Sequence, residues 1–225
     1  MNNYTNICIV ITGLILEEYI HNIISSYKDF PNKIISTWKD QNEELINRLS
    51  IANFIIVQSD YPSYNSQTNY QSIASYNGSK KAEELGFEYI IKIRSDILCN
   101  NINKFVEILN NKFDKDKLII FAGMKYHGNP AEDRVCIMDN MIAGYINNII
   151  KFYSSLQIST DVRFPEEYLQ ESYLNKQHLS KDEIRNTFYF CHEECSKNNI
   201  TFLLTKKQYN WEFIEWRCKQ RDIWS

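Results

Sequence analysis

The stretch that decides the reading is Glu88-Tyr89-Ile90-Ile91-Lys92-Ile93-Arg94-Ser95-Asp96-Ile97. Its first half meets the needs of a buried strand. Tyr89, Ile90, Ile91 and Ile93 are aromatic or β-branched, and such side chains fit a packed, pleated surface. Its second half places Lys92, Arg94 and Asp96 at alternate positions. Side chains along a strand repeat every two residues, so these charges share one face near the carboxyl end. Charge in an interior is costly unless it is paired or holds a ligand or metal. In open α/β sheets, ligands bind outside the carboxyl ends of strands. The strand end is therefore a candidate site for a phosphorylated ligand and a metal. The competing reading is an internal Arg94–Asp96 ion pair.

Upstream, the chain alternates strand and helix. Residues 6–12 are a short apolar run closed by Gly13, as expected of a central parallel strand. Leu16, Tyr19, Ile20, Ile23, Ile24 and Tyr27 then follow helix spacing. Residues 33–37 form a second strand closed by Trp38, residues 41–49 a short helix, and residues 52–58 a third strand ending at Ser59 and Asp60. This β-α-β-α-β order opens a doubly wound nucleotide-binding sheet. Thr68 and Gln71 are spaced as a capping box for the next helix. Gly78 lies inside that helix, where glycine costs about 1 kcal/mol, so close packing is expected there.

Downstream, residues 101–113 read as a helix and 118–123 as a buried strand. A loop containing His127, Gly128 and Pro130 leads to Arg134 and Asp139. The stripe Ile142, Tyr145, Ile146, Ile149, Ile150 and Tyr153 predicts a helix beginning near Asp139. Pro165 suits the first position of a further helix. Ser180 and Glu183 form a second capping box, predicting a helix through about Ser196. Residues 201–205 read as a late strand, and the tail around Trp211 and Trp216 is aromatic. With no internal repeat or linker, the 225 residues are expected to form one domain.

Composition narrows the function classes. A net charge of −3 gives no sign of a nucleic-acid-binding surface. The six cysteines are too sparse for a disulfide scaffold. Cys191 and Cys195 fall at helical spacing with Ile184 and Phe188, so their thiols are expected in the core rather than on a zinc ion, which takes four ligands. His192 lies just off that face. The amino terminus lacks the basic start and apolar run of a signal peptide, and no apolar stretch reaches the ~18–20 residues of a membrane span. A cytoplasmic location is expected, with peripheral membrane contact left open. No glycine fingerprint of NAD-binding sheets or P-loops is present, nor a Gly-x-Ser-x-Gly elbow, which argues against dehydrogenases, P-loop NTPases and serine hydrolases.

The run from Phe30 through Ser36, Thr37 and Trp38 is followed by Asp60, then Asn69-Tyr70-Gln71-Ser72-Ile73, then Lys92-Ile93-Arg94-Ser95-Asp96. In this order and spacing, residues 6–98 resemble the WavE-type lipopolysaccharide-synthesis family. Farther on the likeness rests on Asp139, Gly144 and the Pro165-Glu166-x-Tyr168-Leu169 segment. The resemblance implies a GT-A-like α/β fold: a Rossmann-type, mostly parallel sheet flanked by helices, with a smaller C-terminal helical and aromatic extension. It implies a glycosyltransferase that moves a sugar from a nucleotide-sugar donor to a glycan or glycolipid hydroxyl in surface polysaccharide synthesis. Residues 1–98 would form the donor half and 99–225 the acceptor half. GT-A enzymes carry an Asp-x-Asp motif at this strand end, which binds a divalent cation under the donor diphosphate. Here the first acid is replaced by Arg94.

Two arrangements follow. Asp96 is a candidate ligand for Mn²⁺ or Mg²⁺, with diphosphate and waters completing the shell. Alternatively, Lys92 and Arg94 hold the diphosphate directly. Thr12 and Gly13 would approach the nucleoside, Thr37 or Trp38 the base or ribose, and Asp60 the ribose or base; Gln71 and Ser95 would face the donor. For an inverting reaction a carboxylate base is needed near the acceptor hydroxyl. Glu166 is the candidate base and Asp139 the candidate for sugar or acceptor binding. A sugar-1-phosphate nucleotidyltransferase and a non-catalytic nucleotide-sugar or glycan-binding domain are the alternatives.

Overall fold

The computed structural model describes residues 5–121, 123–125, 135–158 and 165–204. The loop around His127 and Gly128, residue Arg134 and the aromatic tail with Trp211 and Trp216 lie outside the described residues. The chain runs β1 (Ile7–Thr12), α1 (Glu17–Tyr27), β2 (Lys33–Trp38), α2 (Glu43–Ile51), β3 (Ile55–Ser59), α3 (Gln67–Glu84) and β4 (Tyr89–Arg94). It continues through β5 (Ile97–Cys99), α4 (Ile102–Asn110), β6 (Leu118–Ile120), β7 (Gly123–Lys125), β8 (Val135–Ile137) and β9 (Met141–Tyr145). Then come α5 (Ile146–Phe152), α6 (Pro165–Leu174), α7 (Lys181–Thr187), β10 (Phe188–Phe190), α8 (His192–Lys197) and β11 (Phe202–Leu204).

Among the described residues, seven strands form one sheet in the order β10-β6-β9-β4-β1-β2-β3. β1 pairs in parallel with β2 and β4, β2 with β3, and β10 with β6. β9 runs antiparallel between β4 and β6. This is the expected α/β, mostly parallel architecture. The winding reverses at β1: β2 and β3 lie on one side of it, and β4 on the other. α3 makes the crossover. Such a switch point opens a crevice at the strands' carboxyl ends.

Alternation along the strands separates two interiors. Ile7, Ile9, Ile11, Ile91 and Ile93 pack with α1, α2 and α4. Cys8, Val10, Ile90 and Ile142 pack with side chains of α5 and α6. α3 covers this second face closely. A Cβ on Gly78 would lie 2.5 Å from Val10 Cγ1 and 2.8 Å from Ser36 Cβ, so the expected close packing is the reason for that glycine.

Three local expectations are corrected. First, residues 141–145 are strand β9, not the start of a helix, and α5 begins only at Ile146. An apolar run buried on both faces is compatible with either element, and the second edge of β4 claims residues 141–145, pairing Ile142 with Lys92. Second, the helix expected from Ser180 to about Ser196 is divided. Its capping box forms, with Ser180 Oγ accepting from Glu183 N at 3.3 Å and Ser180 N donating to Glu183 Oε2 at 3.0 Å. The aromatic run Phe188–Phe190 then adds to the sheet edge beside β6. Third, the N-cap of α3 is Ser66, whose Oγ accepts from Asn69 N at 3.1 Å. Thr68 is already inside the helix, which releases Gln71 from any capping role.

Cys191 and Cys195 are fully buried free thiols, as expected, with Sγ atoms 4.0 Å apart. No described helix is long and apolar enough to cross a membrane.

Candidate functional site

A cavity of about 510 Å³ opens at the carboxyl ends of β1 and β4, where the switch point places it. Its floor is the backbone after β1. Gly13 takes a φ of +119°, and a Cβ there would fall 2.9 Å from Ser95 Oγ. Ser95 fills that space. It donates from its hydroxyl to Leu14 O at 2.7 Å and from its amide to Thr12 O at 2.8 Å. The end of β4 is thereby fastened to the loop after β1.

One wall is aromatic. Trp38 ends β2 and stacks on Tyr61 with ring centres 4.9 Å apart, and Tyr70 of α3 meets both rings edge-on. Gln71, one residue on, also lines the cavity, and its Oε1 is buried without a hydrogen-bond partner.

The charges gather at the end of β4. Arg94 grips Asp96 through both ends of a fork, Nε to Oδ1 at 3.0 Å and Nη2 to Oδ2 at 2.8 Å. Behind it, Lys92 donates to Asp139 at the backbone oxygen, 2.6 Å away, and at Oδ2, 3.0 Å away. Neither side chain of that pair is exposed at all. The ammonium also lies 5.2 Å from the ring centre of Tyr153. Asp139 Oδ1 is 3.7 Å from Arg94 Nη1, so one carboxylate bridges both cations. A buried ion pair is sustained only by close geometry of this kind.

The electrostatics follow from burial and pairing. Burial holds the Lys92 ammonium below its ordinary pKa, against the pull of Asp139. Burial alone would raise the Asp139 carboxyl, but Lys92 and Arg94 outweigh it and hold the group below the usual range. Burial likewise works against the Arg94 cation and is outweighed by Asp139 and Asp96. Glu166, in the first turn of α6, is raised to about 7, first by burial and then by the negative charge of Asp139.

Eight residues singled out in the sequence meet around the cavity: Thr12, Gly13, Trp38, Gln71, Lys92, Arg94, Ser95 and Asp96. Asp139 and Glu166 are not among its lining residues: Asp139 is fully buried, and Glu166 is half-buried within reach of its charge. Thr37 and Asp60 are placed elsewhere. Thr37 is fully buried on the other side of β2 from Trp38, because neighbours on a strand face opposite ways. Asp60 is exposed and paired with Lys39 at 2.7 Å. Tyr61 was missed. It lies in the polar loop after β3, and its only signal is an aromatic residue close behind a strand end.

The donor set at the β4 end does not fit a divalent cation as it stands. Hard cations take six or more oxygen ligands, carboxylates foremost. Both oxygens of Asp96 are turned to a guanidinium. Among the described residues no group of three His, Cys, Asp or Glu side chains is arranged to hold a metal ion.

No protein-family model and no curated protein sequence matches the chain. Solved structures do show similarity of chain arrangement. A glycosyltransferase involved in glycosylation of the major capsid of PBCV-1 is 15% identical, with 81% of this chain and 80% of that one covered at a TM-score of 0.44. The 4-diphosphocytidyl-2C-methyl-D-erythritol synthase of Anaerococcus prevotii is 13% identical, covering 84% and 88% at 0.46. A mannose-1-phosphate geranyltransferase from Thermus thermophilus is 8% identical, covering 79% and 70% at 0.45.

Proposed function

We propose that the cavity binds a nucleotide-sugar donor and that the protein transfers the sugar to a hydroxyl of a glycan or glycolipid, in surface polysaccharide synthesis. The observation that carries this reading is that aromatic and charged side chains line one switch-point crevice. Trp38, Tyr61 and Tyr70 offer a stacking surface for a base, and Arg94 and Asp96, backed by the buried Lys92, supply a charged part of the same lining. A ligand with a flat apolar end and an ionic end matches that layout. The likeness of residues 6–98 to the WavE-type family supports it from the sequence side, and makes 1–98 the donor half and 99–225 the acceptor half.

In this reading Glu166 removes the proton from the acceptor hydroxyl. A carboxyl raised to about 7 is matched to that task at neutral pH, since a base works best with a pKa near the working pH. Asp139 is locked between two cations, so it holds the wall together rather than accepting a proton. Gln71 lines the cavity and its Oε1 has no hydrogen-bond partner, which supports a role in accepting from the ribose or base.

The test is a panel of UDP-, GDP-, CDP- and dTDP-sugars, read by shift in melting temperature and by release of free nucleoside diphosphate. At least one is expected to raise the melting temperature in a saturable way and to hydrolyse slowly without acceptor. Glu166→Gln is expected to lower turnover by roughly 100-fold or more with donor affinity retained. Near-normal turnover in that variant removes Glu166 from the role. A panel without binding removes the donor reading itself.

A further inference from the structure

We infer that the guanidinium of Arg94, rather than a protein-held divalent cation, meets the diphosphate of the donor, with Asp96 and Asp139 positioning it. The inference rests on the nucleotide-sugar reading of the cavity and concerns how the anionic part of that ligand is held.

Among the described residues, two side-chain cations and the N-termini of α1 and α3 lie at this crevice, and all but Arg94 are already committed, the start of α3 being capped by Ser66 Oγ, which accepts from Asn69 N at 3.1 Å. Lys92 lies behind the wall with no exposed surface and donates twice to Asp139. The N-terminus of α1 opens near the cavity, but Glu17 and Glu18 fill its first turn and satisfy its dipole. Arg94 is different: its side chain is 32% exposed and lines the cavity. A guanidinium has five N–H donors. Asp96 takes two of them, along the Nε–Nη2 edge. Nη1 has only long contacts, 3.5 Å to Asn140 Oδ1 and 3.7 Å to Asp139 Oδ1. The Nη1–Nη2 edge therefore retains donors in the spacing that phosphate oxygens accept bidentately.

The surrounding carboxylates suit a positioning role. Asp96 fixes the plane of the guanidinium from one side. Asp139, itself anchored by Lys92, stands behind Nη1. A divalent cation on Asp96 would instead be forced beside the guanidinium that now grips both oxygens, with Lys92 close behind. Like charges that near repel in a weakly screened site. A diphosphate approaching the same point meets a cation already oriented toward it, and the charge that builds on the leaving group is met without rearrangement.

The test is titration calorimetry with UDP, GDP, CDP and dTDP, in EDTA and again in Mn²⁺, with inorganic pyrophosphate as a base-free probe. At least one nucleoside diphosphate is expected to bind in EDTA, within about threefold of its affinity in Mn²⁺. Arg94→Gln is expected to weaken that binding by roughly tenfold or more, the scale of charge-assisted hydrogen bonds. Arg94→Lys, which keeps the charge and loses the fork, should fall between. The wild-type comparison needs no variant, so misfolding of a substituted chain does not blunt it. Binding that appears only with Mn²⁺ overturns the inference and leaves the glycosyltransferase reading standing. Binding in EDTA that Arg94→Gln does not weaken also overturns it. No binding in either condition overturns both.

Discussion

The two faces of the central sheet are built on different principles. Under α1, α2 and α4 the strands present Ile7, Ile9, Ile11, Ile91 and Ile93, and the helices answer with Tyr19, Ile23, Phe105 and Leu109. Those contacts are between apolar and aromatic side chains, with the Tyr19 and Tyr27 hydroxyls satisfied by backbone groups. Under α3, α5 and α6 the same strands present Cys8, Val10 and Ile90, and then Lys92 and Arg94 toward the carboxyl end. Serines at 36, 72 and 79 and Gly78 line the α3 contact, and Asp139 is fully buried nearby. The first face supplies stability by burial. The second trades some of it for a close helix approach and a charge cluster beside the cavity. Stability and ligand chemistry are thus divided between alternate residues of the same strands.

The sharpest way to break that division is to remove one side chain from each face. Asp139→Ala leaves the Lys92 ammonium buried without its carboxylate, and losing one partner of a buried pair destabilises by roughly 3–5 kcal/mol. Phe105→Ala on the apolar face is expected to destabilise by about the same, roughly 3–5 kcal/mol. Denaturant unfolding should therefore rank the two as near equals. Nucleotide affinity, measured where both remain folded, should not: Asp139→Ala loosens Arg94 and weakens binding, whereas Phe105→Ala leaves it close to wild type. Equal loss of affinity in both would end the division of labour proposed for the faces.

A second contrast lies in pH. Glu166 is raised from 4.5 to about 7 in the folded chain. Below pH 4.5 both folded and unfolded states hold its proton. Between pH 4.5 and 7 the unfolded chain releases the proton while the folded one keeps it, so this contribution to stability is lost as pH rises through the window. The full shift corresponds to about 3 kcal/mol, and partial exposure of the side chain reduces that to about 2 kcal/mol. Unfolding curves from pH 5 to 8 should show wild type falling relative to Glu166→Gln by about that amount. On the proposed reading of Glu166 as the base, turnover should rise over the same window as it ionises. Parallel stability curves for the two proteins would show that Glu166 titrates normally.

Much of this was legible in the chain, for local reasons. β1 to β4 announce themselves as apolar runs punctuated by Gly13, Trp38 and Gly86, and their order alone puts a crevice beside Thr12 and Arg94. β9 was not legible, because Met141, Ile142 and Ala143 are buried whatever the element, the helical spacing runs on into α5, and only the unfilled edge of β4 decides for a strand. The Lys92–Asp139 pair was hidden for a related reason. Its partners lie 47 residues apart and meet because β9 pairs with β4. The Arg94–Asp96 pair could be read as an alternative from two-residue spacing. Tyr61 gave almost no signal, since a stacking partner in a polar loop has no periodicity. Ser66 displaced Thr68 as the cap of α3 because both can accept from a residue three positions on, and spacing does not choose between them.

The smallest expected effect tests how closely the second face is fitted. Alanine at position 78 should favour an isolated helix by about 1 kcal/mol over glycine. Here its Cβ would stand 2.5 Å from Val10 Cγ1 and 2.8 Å from Ser36 Cβ. Neither neighbour retreats easily, since valine is stiff at χ1 and a Cβ is fixed to the backbone. α3 must therefore lift from β1 and β2, and overpacking of this kind costs roughly 1–3 kcal/mol. The net expectation for Gly78→Ala is a loss of about 1 kcal/mol by denaturant unfolding, the propensity gain offsetting part of the strain. Because α3 also carries Tyr70, Gln71 and Ala74 to the cavity, a modest fall in nucleotide affinity should accompany it. A stabilised Gly78→Ala chain with unchanged affinity would mean that α3 rides on the sheet more loosely than its contacts suggest.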